Sequence, residues 1–177
     1  METPQDYTKR ILGNIGERDP WAQLEATPKR LRALTTAASA KELAFSPSRD
    51  RWSTAQILAH LSDAEVVAAW RLRSILARDG IELQAFDQNA WASTFQYERA
   101  DAAESLALFE VLRSANLRLL RTVDPALHQN AGMHQERGRE SVVHLVRLYA
   151  GHDLNHLGQI ERLLAEARNA PHGRPDF

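Results

Sequence analysis

The feature that most constrains the fold is a run of apolar residues at helical spacing after residue 53. Ser53 and Gln56 have the spacing of a capping box at a helix N-terminus. Trp52 and Ile57 are placed to form a hydrophobic staple around it. The apolar residues that follow lie on one helical stripe, which consists of Ile57, Leu61, Ala64, Ala68, Leu72 and Ile75. The pattern predicts a helix from residue 53 to about residue 78.

Other segments share this helical period. Further long helices are predicted over residues 28–43, 101–122 and 141–168. Asp19-Pro20 and Thr27-Pro28 both have the form of an N-cap followed by a proline at the first helical position. A short helix is predicted over residues 5–15. Because glycine and proline fall between the periodic segments, the prediction is an all-α protein, a four-helix bundle with short extra N-terminal helices.

Two segments lack the helical period. Residues 80–100 are rich in Asp, Asn, Gln and aromatic side chains, and they exceed the usual bundle connection of about 2–8 residues. The simpler interpretation is a long crossover linker, and the alternative is a wall or lid of a binding site. Residues 128–139 are polar and contain two glycines, so a loop is predicted there.

Length and composition indicate one soluble domain. The 177 residues suit a single domain with a core over about residues 24–169 and a flexible tail over 170–177. A net charge of -1 gives no surplus for binding phosphates, so no nucleic-acid partner is expected. No apolar run approaches the about 20 residues of a membrane span, and no secretory signal is visible. We therefore expect a cytoplasmic protein that does not bind membranes.

The histidines supply the candidate functional site. His152 and His156 are four residues apart in a predicted helix, so both rings lie on one face and can reach a shared ion. His60 lies at the edge of the apolar stripe of another helix. The chain has no cysteine, so a metal would have to be bound by His, Asp or Glu. Three histidines would leave open positions on the ion, as in catalytic sites. The competing interpretation is a set of ordinary structural histidines.

Asp153 is the other unusual residue, because by angle it points into the apolar stripe of its helix. One interpretation is a carboxylate that orients a liganding histidine or takes part in catalysis. The other is an inward salt bridge to an arginine such as Arg71 or Arg73. The remaining histidines are predicted to be surface residues: His128, His134, His144 and His172. Among them His134 is set apart as a candidate exception, because its loop lies just ahead of the last helix.

Taken together, these residues resemble the DinB superfamily, and within it the YfiT-like group. Short motifs in a fixed order carry the resemblance: Asp19-Pro20, Thr27-Pro28, Arg51-Trp52-Ser53, His60-Leu61-x-Asp63-x-Glu65, Phe86-Asp87-Gln88 with Trp91, and Gly151-His152-Asp153-x-x-His156-Leu157-x-Gln159-Ile160. The motifs extend over nearly the whole chain.

The resemblance implies a four-helix bundle in which His60, His152 and His156 bind a divalent metal, usually zinc or nickel, completed by water. Similar proteins are often homodimers. Characterised members of the family include bacillithiol-dependent thiol-S-transferases, mycothiol-dependent maleylpyruvate isomerase and a domain of ergothioneine-synthesis enzymes. A low-molecular-weight thiol is therefore a candidate second cofactor.

The function expected from the sequence is that of a metal-dependent enzyme acting on a small molecule. It would either transfer a low-molecular-weight thiol or hydrolyse its substrate. The alternative is a helical bundle that binds a metal or ligand without catalysis, and a purely structural bundle is the third possibility.

Overall fold

The computed structural model describes residues 3–170, so that all of the predicted tail at 170–177 except Ala170, and with it His172, lies outside the described residues. The helices are α1 (Pro4–Ile15), α2 (Pro20–Thr36), α3 (Ala40–Ala44), α4 (Thr54–Ala77), α5 (Gln88–Thr94), α6 (Ala102–Thr122) and α7 (Val142–Asn169). The strands are β1 (Ile81–Leu83), β2 (Ala131–His134) and β3 (Gly138–Ser141). Two short 3₁₀ helices cover Tyr97–Arg99 and Pro125–Gln129.

The four long helices form the predicted four-helix bundle. α4 packs against α6 and α7, while α2 packs against the same two helices from the other side. The predicted start signals of three of these helices are confirmed, because the side chains of Ser53, Asp101 and Ser141 each accept hydrogen bonds from amides of the first helical turn. Within residues 3–170, no helix combines the length and apolar character needed to cross a membrane.

The predicted bounds of the helix over residues 28–43 are wrong. Pro28 lies inside α2, which begins after Asp19, and residues 40–44 form the separate helix α3. A proline inside a helix lacks the N–H that would bond to the carbonyl four residues earlier, here that of Leu24. The Arg113 guanidinium of α6 donates to that carbonyl oxygen at 3.0 Å. A donor from a distant helix therefore replaces the missing hydrogen bond and lets α2 continue.

The loop predicted over residues 128–139 is also wrong, and residues 80–100 contain more structure than a linker. β1 pairs in parallel with β2, and β2 pairs in antiparallel with β3, giving one three-stranded sheet between the end of α4 and the start of α7. Strands of three or four residues are too short to show an alternating pattern. The pairing of β1 with β2 also joins segments about fifty residues apart in the chain.

The core extends further toward the N-terminus than residue 24. Ile11 and Ile15 of α1 are fully buried in a cluster with Leu145 of α7 and Leu72 of α4. A second cluster fills the other half of the bundle around Phe109. α1 is thus a structural part of the bundle, packed along α7.

The contact between α1 and α7 requires a glycine at position 151. A Cβ atom built there would lie 2.1 Å from the carbonyl oxygen of Ile11, which belongs to the backbone of α1. We expect Gly151→Ala to push α1 away from α7 and to lower the free energy of unfolding by about 1–3 kcal/mol, as overpacking does. Urea denaturation would measure the change.

Gly158→Ala, in the same helix, is the matched control. Its added Cβ would meet only the flexible end of Arg162, at 3.4 Å. Alanine is the better helix former by about 1 kcal/mol, so stability should be unchanged or higher. Equal effects of the two substitutions would contradict the close approach of α1.

Candidate metal centre

The structure brings the three predicted histidines together from two helices. His60 lies in the second turn of α4, and His152 and His156 lie one turn apart in α7. The Nε2 atom of His152 is 3.1 Å from Nε2 of His60 and 3.1 Å from Nε2 of His156. Within residues 3–170, these are the only three potential ligands that converge closely enough to share an ion.

The spacing of these nitrogens fits the ligand shell of a divalent metal. Zinc binds imidazole nitrogen at about 2.0–2.1 Å, so two such ligands at about 90–110° lie about 2.8–3.4 Å apart. A neutral imidazole nitrogen carries either a hydrogen or a lone pair, so Nε2 of His152 cannot form good hydrogen bonds to both neighbours. A cation that accepts lone pairs satisfies the cluster better. The residues present therefore fit a divalent ion.

The electrostatic environment keeps the three rings neutral. Burial lowers the pKa of His60 to about 3, and the electrostatic effect of a proton on the nearby His156 adds to the shift. Burial also lowers the pKa of His156 to about 4, against the opposing effect of its hydrogen bond to Gln159. The pKa of His152 lies well below its usual value, chiefly because of burial. At neutral pH the lone pairs are thus available to a metal.

Neighbouring side chains hold the rings in place. Nδ1 of His156 lies 2.7 Å from Oε1 of Gln159, a contact that places the ring hydrogen on Nδ1 and leaves Nε2 free. His60 has no such partner among residues 3–170, since its buried Nδ1 makes no hydrogen bond there. Its ring is held by packing instead, with Trp52 at 5.2 Å and the parallel ring of Phe86 at 6.1 Å between centroids.

Beneath the triad, Arg113 of α6 forms a buried network of charges. It donates to both oxygens of Asp153, at 2.6 and 3.0 Å, and twice to Oε1 of Glu65, at 3.1 and 2.8 Å. Asn116 donates to the other oxygen of Glu65 at 2.9 Å. Burial by itself would lower the pKa of Arg113, but Asp153 and Glu65 outweigh it, and the pKa is raised. The guanidinium therefore stays charged.

Asp153 forms an inward salt bridge, as one of the two interpretations of this residue predicted. Its partner is Arg113, neither Arg71 nor Arg73, and its side chain is only 1% exposed. Both oxygens are engaged, so the carboxylate has the geometry of a positioning group between His152 and His156. A catalytic role for Asp153 stays a prediction.

His134, predicted to be a surface residue, is buried. It lies on β2, and its Nε2 atom faces Arg71 at 3.2 Å. The error follows from the unrecognised strand, since a residue in a polar segment shows no periodicity that would place it inside. His128 and His144 are half-buried at the outside of the bundle.

Two cavities adjoin the triad. One, of about 420 Å³, is lined by His60 and His152. The other, of about 490 Å³, is lined by His156 and Gln159. Gln88 and Asn89, at the start of α5, line both cavities. The segment 80–100 therefore supplies a wall of the candidate site in addition to connecting α4 and α6. Phe86, in the same segment, stacks on the ring of His60.

Removal of Arg113 should weaken the fold strongly. Arg113→Met leaves Glu65 and Asp153 buried without a counter-charge, a change that costs about 3–5 kcal/mol in comparable pairs. The exposed pair of Arg30 with Glu161 provides the control, since Arg30→Met should cost less than about 1 kcal/mol. Urea denaturation of both variants would test this, and similar losses would argue against the network.

The triad predicts the metal content of the protein. Wild type purified without an affinity tag should carry about one divalent ion per chain, and His156→Ala should carry none, because an open triad loses a ligand and its chelate geometry. His144→Ala, in the same helix but outside the triad, should retain the ion. Elemental analysis would measure all three. Equal metal content in the two variants would exclude His156 as a ligand.

Comparison with known proteins places these features in a family. The model of the DinB superfamily matches residues 23–160. A protein of Halalkalibacterium halodurans is 25% identical over 146 residues, covering 82% of this chain and 85% of its own length. A protein of Oceanobacillus iheyensis is 26% identical over 141 residues, covering 80% of this chain and 81% of its own length. Both carry the name "putative metal-dependent hydrolase".

A solved structure agrees in fold. YfiT from Bacillus subtilis, described as a probable metal-dependent hydrolase with an unusual four-helix bundle topology, superposes with a TM-score of 0.75. The match covers 94% of this chain and 89% of YfiT, at 21% sequence identity, and so shows the fold alone. The family model covers well over half of the sequence, including all three histidines of the triad. The chain belongs to the DinB superfamily.

Proposed function

We propose that the protein is a metal-dependent hydrolase in which His60, His152 and His156 bind one divalent ion, zinc or nickel. The observation that carries the proposal is the convergence of three neutral Nε2 atoms, 3.1 Å apart in two contacts, at the wall of a cavity. The names of the relatives, metal-dependent hydrolases in several bacteria, support it.

The chain's own residues would prepare the site in three ways. His60, His152 and His156 would hold the ion beside the cavity that His60 and His152 line. Trp52 and Phe86 cover His60 with apolar surface and restrict water around the ligands. Gln159 and the Arg113–Asp153 pair fix the orientation of the α7 ligands. When bound, a divalent ion would act as a Lewis acid and lower the pKa of a coordinated water or thiol toward neutrality.

Thiol transfer is the alternative reaction for the same site. It differs in the nucleophile, a low-molecular-weight thiol in place of water, and needs space for that cofactor beside the electrophile. The second cavity, on the His156 side, offers such space, and Arg10, Arg51 and Arg162 are among its lining residues. Thiol transfer therefore stays the second candidate.

For either reaction we expect a small-molecule substrate. The cavity of about 420 Å³ lies in the size range of small-molecule sites. The predicted homodimer stays a prediction. Large apolar side chains exposed on the adjacent helices α4 and α6 offer a surface for it, namely Val66, Trp70, Leu108 and Val111.

Hydrolysis can be tested with activated esters and amides whose products are coloured. Protein treated with EDTA should be inactive, zinc or nickel should restore activity, and His156→Ala should remain at least about 100-fold below wild type with either metal. Gln159→Ala should fall about 10–100-fold, as other substitutions behind a liganding histidine do. His144→Ala is the control and should match wild type.

The same assay separates the alternatives. Product that forms only when a low-molecular-weight thiol is added would replace hydrolysis by thiol transfer. A protein that binds metal at the triad but turns over no substrate in either assay would be a non-catalytic bundle.

A further inference from the structure

Arg71 of α4 is a buried arginine without a carboxylate partner. Its residue is 6% exposed, and it lines the cavity of about 420 Å³ that adjoins the triad. Among residues 3–170 no carboxylate lies within ion-pair distance of it, whereas Arg113, equally buried, has two. A buried charge without a counter-ion is costly, so an anionic occupant of the cavity would stabilise it.

The contacts of Arg71 leave most of its hydrogen-bonding capacity unused. Nη2 donates to the carbonyl oxygen of Gln84 at 2.7 Å and lies 3.2 Å from Nε2 of His134. Nδ1 of His134 already accepts from the Glu136 amide at 3.2 Å, and burial lowers the pKa of this ring to about 4. A neutral imidazole accepts at one nitrogen only, so Nε2 can accept from Arg71 only in the tautomer that gives up the contact with the Glu136 amide. Nε and Nη1 of Arg71 make no hydrogen bond within the described chain.

None of the carboxylates around the cavity pairs with Arg71 in residues 3–170, and Glu136, which also lines it, is exposed. Glu140 is held by Arg137, at 2.7 and 3.0 Å. Oδ1 of Asp87 accepts from the amides of Asn89 and Ala90 at the start of α5, each at 3.0 Å. Arg137 also lines the cavity, but its charge is balanced by Glu140. Arg71 is thus the positive group of this cavity that has no partner of opposite charge in residues 3–170.

Helical geometry aligns Arg71 with the triad. Eleven residues separate it from His60, a rotation of about 20° from a common face at 100° per residue. Ala64, between them on that face, lines the same cavity. The opposite wall comes from α7, where Tyr149 and His152 are one turn apart. The hydroxyl of Tyr149 makes no hydrogen bond to residues 3–170, so it too is available to an occupant.

We propose that Arg71, with the Tyr149 hydroxyl, forms a subsite for an anionic group, a carboxylate or a phosphate, on the small molecule that occupies this cavity. The planar guanidinium suits two parallel hydrogen bonds to either group. Eleven residues span about 16 Å of helix, and the arginine side chain reaches back toward the N-terminus. The anionic group would then lie on the order of 10 Å from the triad. That this molecule is the substrate rests on the proposed hydrolase function.

The subsite can be tested by titrating EDTA-treated protein with inorganic phosphate and with succinate in a calorimeter. Because the metal has been removed, the anion cannot coordinate it at the triad, and the measured binding excludes that contribution. At least one probe should bind wild type, and Arg71→Lys should weaken it about 10-fold or more, because lysine keeps the charge but loses the planar pair of donors. Arg73→Lys, in the same helix on an exposed face, should bind like wild type.

Tyr149→Phe provides a second variant that removes one hydroxyl and keeps the ring. It should bind the same probe about 2–10-fold more weakly, the effect of one lost hydrogen bond. Circular dichroism and metal content should match wild type in every variant that is compared. If Arg71→Lys does not fold, the comparison of Tyr149→Phe with Arg73→Lys decides the proposal.

The relative affinities of phosphate and succinate would identify which anion the subsite prefers. Failure of both probes to bind wild type, or binding that neither Arg71→Lys nor Tyr149→Phe weakens, would overturn the subsite. A protein that binds an anion through Arg71 but hydrolyses nothing would leave the subsite intact and overturn the hydrolase proposal alone.

Discussion

The guanidinium of Arg113 is the interaction on which the bundle depends. From α6 it reaches one group on each of the other long helices: the Leu24 carbonyl on α2, Glu65 on α4 and Asp153 on α7. Each contact is buried, so water cannot take the place of either partner. Breaking an ion pair would leave a charge buried without its counter-charge. The four helices therefore meet at one buried centre of paired charges, and that centre fixes their relative register.

The same centre sets the geometry of the candidate metal site. Glu65 is five residues from His60 in α4, and Asp153 lies between His152 and His156 in α7. When Arg113 fixes the two carboxylates, it also fixes how far each helix can slide or rotate, and with it the position of the three Nε2 atoms. The tolerance of Pro28 has the same origin, because Arg113 supplies the hydrogen bond that proline cannot. Architecture and site are thus controlled by one side chain.

Local signals in the sequence predicted most of the helices. They also predicted that His152 and His156 lie on one helical face and can reach a shared ion. Capping residues such as Ser53 and Ser141 act within one turn, and the spacing of His152 and His156 is itself local. The meeting of His60 with that pair depends on packing between helices. Its place at the edge of an apolar stripe made it a candidate, and the family resemblance implied the triad. The pairing of β1 with β2, which carries His134, joins segments about fifty residues apart, and β2 and β3 are too short to show a strand pattern. Arg113 could have been noticed, since it lies four residues after Phe109 on the inner face of α6.

The triad also has a consequence for a chain that contains no cysteine. An ion held by His60 and His152 would join positions 92 residues apart and act as a reversible cross-link, the role that a disulfide plays elsewhere. Its contribution would rise with the supply of free metal, by about 2.7 kcal/mol at a concentration 100 times the dissociation constant. The lifetime of the folded protein in the cell would then follow the availability of the metal as well as the sequence.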